Sequence, residues 1–316
     1  MTPTISVVVI TYRRPGSLAA CLQSLDDQVD DVFEVIVVDQ SPDDLSGAVV
    51  AEHDRAIWVD NRRNAGRMTS SRNIGLDLAR GDLIAFLDDD VVATPGWSQA
   101  VRRAFLARGD LGGVTGLTRN RGEARALTDA GIGIIQADGR VIGNFDMLGA
   151  EREVEHLIGA NMTFRRKVLR GLGGLHEDYP GTAMGEDTDI CLRVRAAGWR
   201  LAFLPSCEVD HRGAPHVVGR RFDHRYTYFA HRNYVQLHLR HSRRGGVGGA
   251  RYAATALRAE LCGQRRLSNR AVRTAVAAAG LIAGFVGCAR RGELRGGPLV
   301  RQTPNQRPRM SAAVPR

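Results

Sequence analysis

The sequence predicts an α/β fold: a mixed, mostly parallel sheet flanked by helices, followed by a helical extension at the C-terminus. Three observations carry that reading. The runs Ile5–Ile10, Val35–Val38 and Leu83–Leu87 are apolar almost throughout rather than at alternate positions, as strands covered by helices on both faces require. Helical patterns separate these runs, so each strand is followed by a crossover of the kind that parallel neighbours need. Charge then divides the chain: residues 1–211 hold 23 Lys+Arg against 31 Asp+Glu, and the remainder holds 21 against 3. The 316 residues suit one large domain and an appendage, with divisions expected at 1–212, 213–290 and 291–316.

The first strand passes through Thr11-Tyr12-Arg13-Arg14-Pro15-Gly16 into a helix reaching Leu25. Val32–Val38 is the second strand, with Asp39 at its end, and Ala56–Val59 the third, leading to Asn61–Gly66. A helix from about Met68 to Arg80 carries Arg72 and Asn73, and the fourth strand ends in Asp88-Asp89-Asp90. Pro95–Arg108 reads as a helix with proline in its first turn, and Gly113–Leu117 as a strand. Alternating apolar residues on either side of Asp138-Gly139 predict a hairpin within Gly131–Phe145. Asn161–Arg165 is a further strand and Arg166–Leu172 a short helix. The glycine-rich Gly173–Gly185 is expected to be a mobile loop over the site. A helix from Glu186 to Ala197, a strand at Arg200–Leu204 and a loop bearing His211 complete the domain.

Beyond residue 212, Arg220–Arg244 interleaves an aromatic and aliphatic stripe with Arg and His, and Arg251–Gln264 and Asn269–Ala289 also read as helices. From Arg290 onward Arg, Gly, Pro and Gln dominate, which predicts a disordered tail. The longest uncharged run, Thr274–Ala289, is 16 residues, short of the roughly 20 that a spanning helix needs. Such a segment can lie in a membrane interface instead. Five scattered cysteines without a C-x-x-C pair argue against a disulfide framework or zinc site and favour a reducing compartment. With no signal-peptide pattern before the first strand, the expected location is cytoplasmic, at the inner face of the membrane if the basic extension docks there.

Three consecutive carboxylates at a strand end raise one another's pKa values, and a divalent cation is the simplest relief. Side-chain alternation puts Asp88 and Asp90 on one side and Asp89 on the other, so two carboxylates can meet one hard ion. The position, just past the C-terminal end of a strand, is where open α/β sheets bind ligands. A solvated acidic turn would show the same three letters.

The order of motifs decides between them: Ser6–Tyr12, Val37-Val38-Asp39, Asn64-Ala65-Gly66 with Arg72-Asn73-x-Gly75, Phe86–Asp90, Gly185-Glu186-Asp187-x-Asp189 and Val209-Asp210-His211. This series resembles the family-two inverting glycosyltransferases of the GT-A fold, a Rossmann-like architecture within the nucleotide-diphospho-sugar transferase superfamily, over about residues 4–212. The resemblance implies a nucleotide-diphosphate sugar donor and a Mn²⁺ or Mg²⁺ cofactor. Asp90 is then the main metal ligand, Asp88 lies beside it near the donor, and His211 reaches the metal or diphosphate. Asp39 accepts a hydrogen bond from the base, Thr11 and Tyr12 line it, and Arg14, Asn64, Arg72 and Asp89 belong to the donor side. Asp187 is the implied general base that takes the acceptor's proton, with Glu186 orienting the acceptor or Asp187 itself. Each residue also has a plainer reading: His211 as a loop histidine, Tyr12 as a half-buried aromatic, Arg72 as a solvated helix face, and Glu186 and Asp187 as ordinary acids at a helix N-terminus. The chain departs from the family at Gly173-Gly174-Leu175-His176-Glu177, where many relatives carry Gly-Gly-Phe-Asp-Glu, so the acceptor does not follow from the resemblance.

The function expected is transfer of a sugar to a glycan, lipid-linked or small-molecule hydroxyl in cell envelope glycan synthesis, with peripheral contact to an anionic membrane and no nucleic acid partner. A nucleotidyltransferase shares the strand-end aspartates but would carry a Gly-rich phosphate loop that Thr11–Gly16 matches poorly. A non-catalytic nucleotide- or RNA-binding module would suit the basic extension.

Overall fold

The structure is a computed structural model that describes residues 2–28, 32–128, 131–214, 223–241, 246–262 and 267–295. β1 (Ile5–Thr11), α1 (Pro15–Asp26), β2 (Val32–Asp39), α2 (Leu45–Val50), β3 (Ala56–Asp60), α3 (Met68–Leu78) and β4 (Leu83–Asp88) open the chain. β5 (Val91–Ala93), α4 (Trp97–Ala107), β6 (Leu111–Thr115) and β7 (Thr118–Asn120) follow, then the expected hairpin, β8 (Ile134–Ile135) and β9 (Val141–Ile142). The domain continues with β10 (Arg152–Glu153), β11 (Asn161–Arg165), α5 (Arg166–Gly171), α6 (Glu186–Ala196), β12 (Arg200–Phe203) and β13 (Val209–His211). Three helices form the extension: α7 (His224–His241), α8 (Gly246–Cys262) and α9 (Leu267–Arg290).

Eight strands make one sheet in the order β10-β12-β6-β11-β4-β1-β2-β3. β1 lies between β2 and β4 and parallel to both, which leaves a crevice beyond its C-terminal end. β11 runs antiparallel to β4 and β6, so the sheet is mixed as expected. Nearly every strand position is apolar because successive side chains feed two cores. Val7, Val9, Val35, Val37, Ala85 and Leu87 pack with α1 and α4 on one face. Val8, Ile36, Val38, Ile84 and Phe86 pack with α3, α5 and α6 on the other.

Several expectations are corrected. His211 is not on a loop but is the last residue of β13, held between β5 and β7 in a second, three-stranded sheet. Strands of three residues are too short to show a period. The Gly173–Gly185 segment is not free-standing: Asn73 Nδ2 donates to the Leu175 carbonyl at 2.9 Å and Arg193 Nη1 to that of Gly174 at 2.7 Å. From α7, Arg232 Nη1 and Gln236 Nε2 donate to the Asp178 carbonyl at 2.7 and 3.1 Å, and Asn233 Nδ2 to that of Pro180 at 3.1 Å.

α7 and α9 cross at Gly280 and Gly284, where an added Cβ would collide with the Tyr228 carbonyl and with Val235. Only glycine admits such close backbone approach. α8 closes a third core around Val235, Leu239, Tyr252, Ala256, Leu281 and Cys288. Residues 291–295, expected to start a disordered tail, instead include a 3-10 turn at Glu293–Arg295, with Glu293 paired to Arg240 and Arg291, each at 3.0 Å. Residues 220–222 and 242–244 of the expected aromatic helix, and residues 296–316 of the tail, lie outside the described residues. The helix holding the 16-residue uncharged run is also longer than that run suggested: Asn269–Arg290, 22 residues, is long and apolar enough to cross a membrane by length and composition.

Candidate active site

β4 ends on Asp88, and the tight turn into β5 sends the three carboxylates two ways. Asp89 points back toward β1 and α1, where it accepts hydrogen bonds from Thr11 Oγ1 at 2.8 Å and Arg14 Nη1 at 3.1 Å. Burial pushes its pKa up to about 6 despite Arg14 and Thr11, which pull it down. Asp88 and Asp90 face the crevice with His211, and one ligand atom from each of the three lies within 4.8 Å of the others. His211 Nε2 is 3.2 Å from Asp90 Oδ1, while Asp90 Oδ2 accepts the Ala214 N–H at 2.7 Å. Burial opposes ionisation of Asp90, yet His211, the Ala214 amide and Arg14 outweigh it and hold the carboxyl at about 2. Two oxygens and an imidazole aimed at one point fit a divalent cation with mixed oxygen and nitrogen ligands. Beside Asp90, Gly16, Ser17, Ala20, Val92 and Arg212 line a pocket of about 190 Å³ at the N-terminal end of α1.

Asp39 stands in register with Thr11 across the β1–β2 ladder and is 1% exposed. It accepts the Ser41 N–H at 2.8 Å and the Trp58 indole N–H at 3.2 Å. Tyr12 is half-buried, with the Arg13 guanidinium 5.4 Å from its ring centre. Asn64 ends a 3-10 turn, Arg62–Asn64; its side chain donates to Asn61 Oδ1 at 2.7 Å and its carbonyl accepts from Gln40 Nε2 at 2.6 Å.

Arg72 joins the two sides of the crevice. It is not on a solvent-facing helix surface: it is 3% exposed and its guanidinium meets protein groups on both sides. Its Nη1 pairs with Glu186, and its Nη2 lies 3.4 Å from Asp88 Oδ1 and donates to the Gly159 carbonyl at 3.0 Å. Gly159 in turn donates its N–H to Asp187 Oδ2 at 3.2 Å, and Asp187 Oδ1 accepts the Thr188 N–H at 2.7 Å. Asp187 is half-buried in the first turn of α6. Asp90, His211, Asp88, Arg72, Glu186 and Asp187 therefore share one cleft through a continuous chain of contacts, whereas Asp39, Tyr12 and Asn64 lie along the neighbouring β1–β2–β3 edge.

Sequence reasoning missed the support behind Asp187. Asp189, on the same helix and 1% exposed, accepts hydrogen bonds from Tyr179 Oη at 3.0 Å and His241 Nε2 at 2.9 Å and pairs with His176 Nδ1 at 2.9 Å. Burial would raise its pKa, but the two histidines reverse the sign and hold it well below the ordinary carboxylate range. His176 occupies the departure from Gly-Gly-Phe-Asp-Glu noted above, and the structure supplies its reason: it faces a buried carboxylate. Trp58 on Asp39 and Gly159 on Asp187 were likewise unmarked, because neither contact leaves a local pattern.

The profile of the glycosyl transferase family 2 domain matches residues 6–173, more than half of the chain. An uncharacterized protein of Sinorhizobium fredii is 28% identical over 231 residues, 66% of this chain and 24% of the relative, so the chain spans about a quarter of that protein's length. The glucosyl-dolichyl phosphate glucuronosyltransferase of Haloferax volcanii is 26% identical over 222 residues, 66% of this chain and 69% of the relative. Among solved structures, a mannosyltransferase of Pyrobaculum calidifontis in complex with GDP-Man and Mn²⁺ superposes with a TM-score of 0.55 at 20% identity, covering 90% of this chain and 87% of that one. With the order of strands, the acidic strand end and the matched profile in agreement, the chain belongs to glycosyl transferase family 2 and has the GT-A fold.

Proposed function

We propose a metal-dependent, inverting transfer of a sugar from a nucleotide-diphosphate donor to an acceptor hydroxyl. The observation that carries it is the cleft in which Asp88, Asp90 and His211 converge while Asp187 stands across Arg72 from them. A Mn²⁺ or Mg²⁺ ion held by the three would neutralise charge gathering on the diphosphate as it leaves, and the imidazole in the set favours Mn²⁺. Asp187 accepts the proton of the acceptor hydroxyl, whose oxygen forms the new bond to the anomeric carbon as the bond to the diphosphate breaks. A base on the face opposite the leaving group gives inversion. Arg72 and the Gly159 amide hold Glu186 and Asp187 in place. Asp39 and Tyr12 form the base-recognition edge, with Asn64 supporting it through Gln40.

The GDP-Man and Mn²⁺ of the Pyrobaculum calidifontis structure support the donor class and the metal. The name of the Haloferax volcanii relative, a glucosyl-dolichyl phosphate glucuronosyltransferase, supports a lipid-linked acceptor over a free glycan or small molecule. Five free cysteines, four of them buried, support a reducing cytoplasmic site. The test is product analysis with the Asp187→Asn variant. The wild type should release a free nucleoside diphosphate rather than pyrophosphate, and the product should carry the inverted anomer. The variant should keep Mn²⁺-dependent donor binding by calorimetry while turnover falls about 10²–10⁴-fold. Equal turnover of variant and wild type would remove Asp187 as base, and pyrophosphate would make the enzyme a nucleotidyltransferase.

A further inference from the structure

We propose that the outward face of α9 is a docking surface for an anionic bilayer, on which the helix lies flat with the catalytic domain held above it. This goes beyond the reaction proposed above and does not depend on the identity of donor or acceptor.

α9 has two opposed faces. Ala277, Gly280, Leu281, Gly284 and Cys288 are buried, with the two glycines set against the backbone of α7. Opposite them Val272, Ala275, Ala279, Ile282, Val286 and Ala289 form an exposed apolar stripe. Ile282 is 63% exposed, Val272 49% and Val286 42%, and only 28% of the most apolar 18-residue window is buried. Isolated exposed apolar residues are ordinary, but a stripe along one helix marks a surface that meets something. Arg270 and Arg290 frame it, and α9 contains no acidic residue.

Two occupants fit a straight apolar stripe, and the charge and area of this one favour lipid over a second copy. The intervals 272, 275, 279, 282, 286, 289 match a coiled-coil seam, but flanking positions without any acidic side chain offer no partner for arginine across such a seam. Eighteen residues of one face make a strip of about 27 by 10 Å. The resulting ~300 Å² is well below the ~800 Å² per partner of a stable interface. Two copies would also bring together segments that each hold 21 basic and 3 acidic residues from position 212 onward. Acidic headgroups complement that excess instead, and a flat amphipathic helix with arginines at its edges suits the interface. Lying flat rather than spanning follows from the other face, since α9 could not enter the hydrocarbon core without leaving α7 and its Arg232 and Arg240.

The geometry also relates this surface to the cleft. α7, which separates α9 from the domain, touches the loop leading into α6: Tyr226 Oη is 3.6 Å from Met184 Sδ, and Tyr234 and Leu237 border Gly185. A bilayer against the outward face of α9 would therefore lie about two helix diameters, roughly 20 Å, from the acceptor side of the site.

The experiment is co-sedimentation of the full chain with vesicles of phosphatidylcholine alone and of equimolar phosphatidylcholine and phosphatidylglycerol, alongside the Ile282→Glu/Val286→Glu double variant. Sedimentation velocity without lipid and thermal unfolding accompany it. The wild type should be monomeric and bind only the anionic vesicles, and the double variant should bind about tenfold or more weakly with an unchanged melting temperature. Absence of wild-type binding, or binding that survives the double variant, overturns the proposal. A lipid-free dimer dissolved by the double variant also overturns it and gives the stripe to a second copy. Mn²⁺-dependent binding of GDP or UDP, measured on the same preparations, reports separately on the catalytic reading.

Discussion

Arg72 shows how much of this site hangs on one side chain. Its guanidinium is buried, and burial pulls its pKa down against the pull of Asp88 and Asp187. Replacing it with methionine leaves Glu186 enclosed and without its cation, a change that typically costs about 3–5 kcal/mol. Arg72→Met should therefore lower the urea midpoint markedly, and Asp90→Ala, which also removes the contacts to His211 and the Ala214 amide, should abolish the Mn²⁺-dependent stabilisation by GDP or UDP in a thermal-shift assay. If Asp90→Ala kept that metal dependence, the ligand assignment would fail. The convergence of Asp88, Asp90 and His211 was legible before the fold was known, because they and Asp187 stand in short motifs in a fixed order. Asp189 was visible only as a letter in one of those motifs. Its partners His176 and His241 come from sequence positions 65 residues apart, so their convergence is a property of packing that no local pattern records.

At the scale of elements, the strands of the large sheet followed from their unbroken apolar runs, while α2 and the three-stranded sheet escaped notice because six- and three-residue segments show no period. The α7–α9 crossing is a further feature that composition alone conceals. Gly280→Leu should force the helices apart, and thermal unfolding of that variant should show a loss of about 1–3 kcal/mol. His238 on α7 gives the same region a pH dependence. It sits against Gly139 of the hairpin and Tyr252 of α8, and burial depresses its pKa to about 4. Below its unfolded value of 6.5 the unfolded chain takes up a proton that the folded protein refuses until about 4, so stability falls as pH drops through that window. Asp89, raised to about 6, acts in the opposite direction over part of the range, so the comparison needed is between wild type and His238→Phe. The variant should lose about 1–2 kcal/mol less than wild type between pH 6.5 and 4.5 in denaturant titrations. Parallel curves for the two proteins would show that the imidazole does not titrate as described.

Across the whole molecule, the expected boundary at residue 212 separates two regions of opposite charge but does not separate two mechanical units. His241 and Arg240 reach from the extension to Asp189, and Arg240 also pairs with Asp178 in the loop before the helix that bears Asp187. A fragment ending at residue 212 should thus melt earlier than the full chain and lose most of its turnover, even on an acceptor supplied in solution. Full activity in that fragment would mean the clasp is dispensable. Deleting the extension is for the same reason a poor way to ask about membranes, since it would disturb catalysis whatever the bilayer does.

The clasp on Asp189 also constrains descent and engineering. A terminal segment that merely tethered the enzyme could be traded between relatives as an independent cassette. Here a transplant would arrive without the imidazole and guanidinium that the recipient's buried carboxylate requires, and a donor tail in a new host would present those cations to nothing. Functional chimeras of this protein should accordingly demand that positions 176, 189, 240 and 241 travel together.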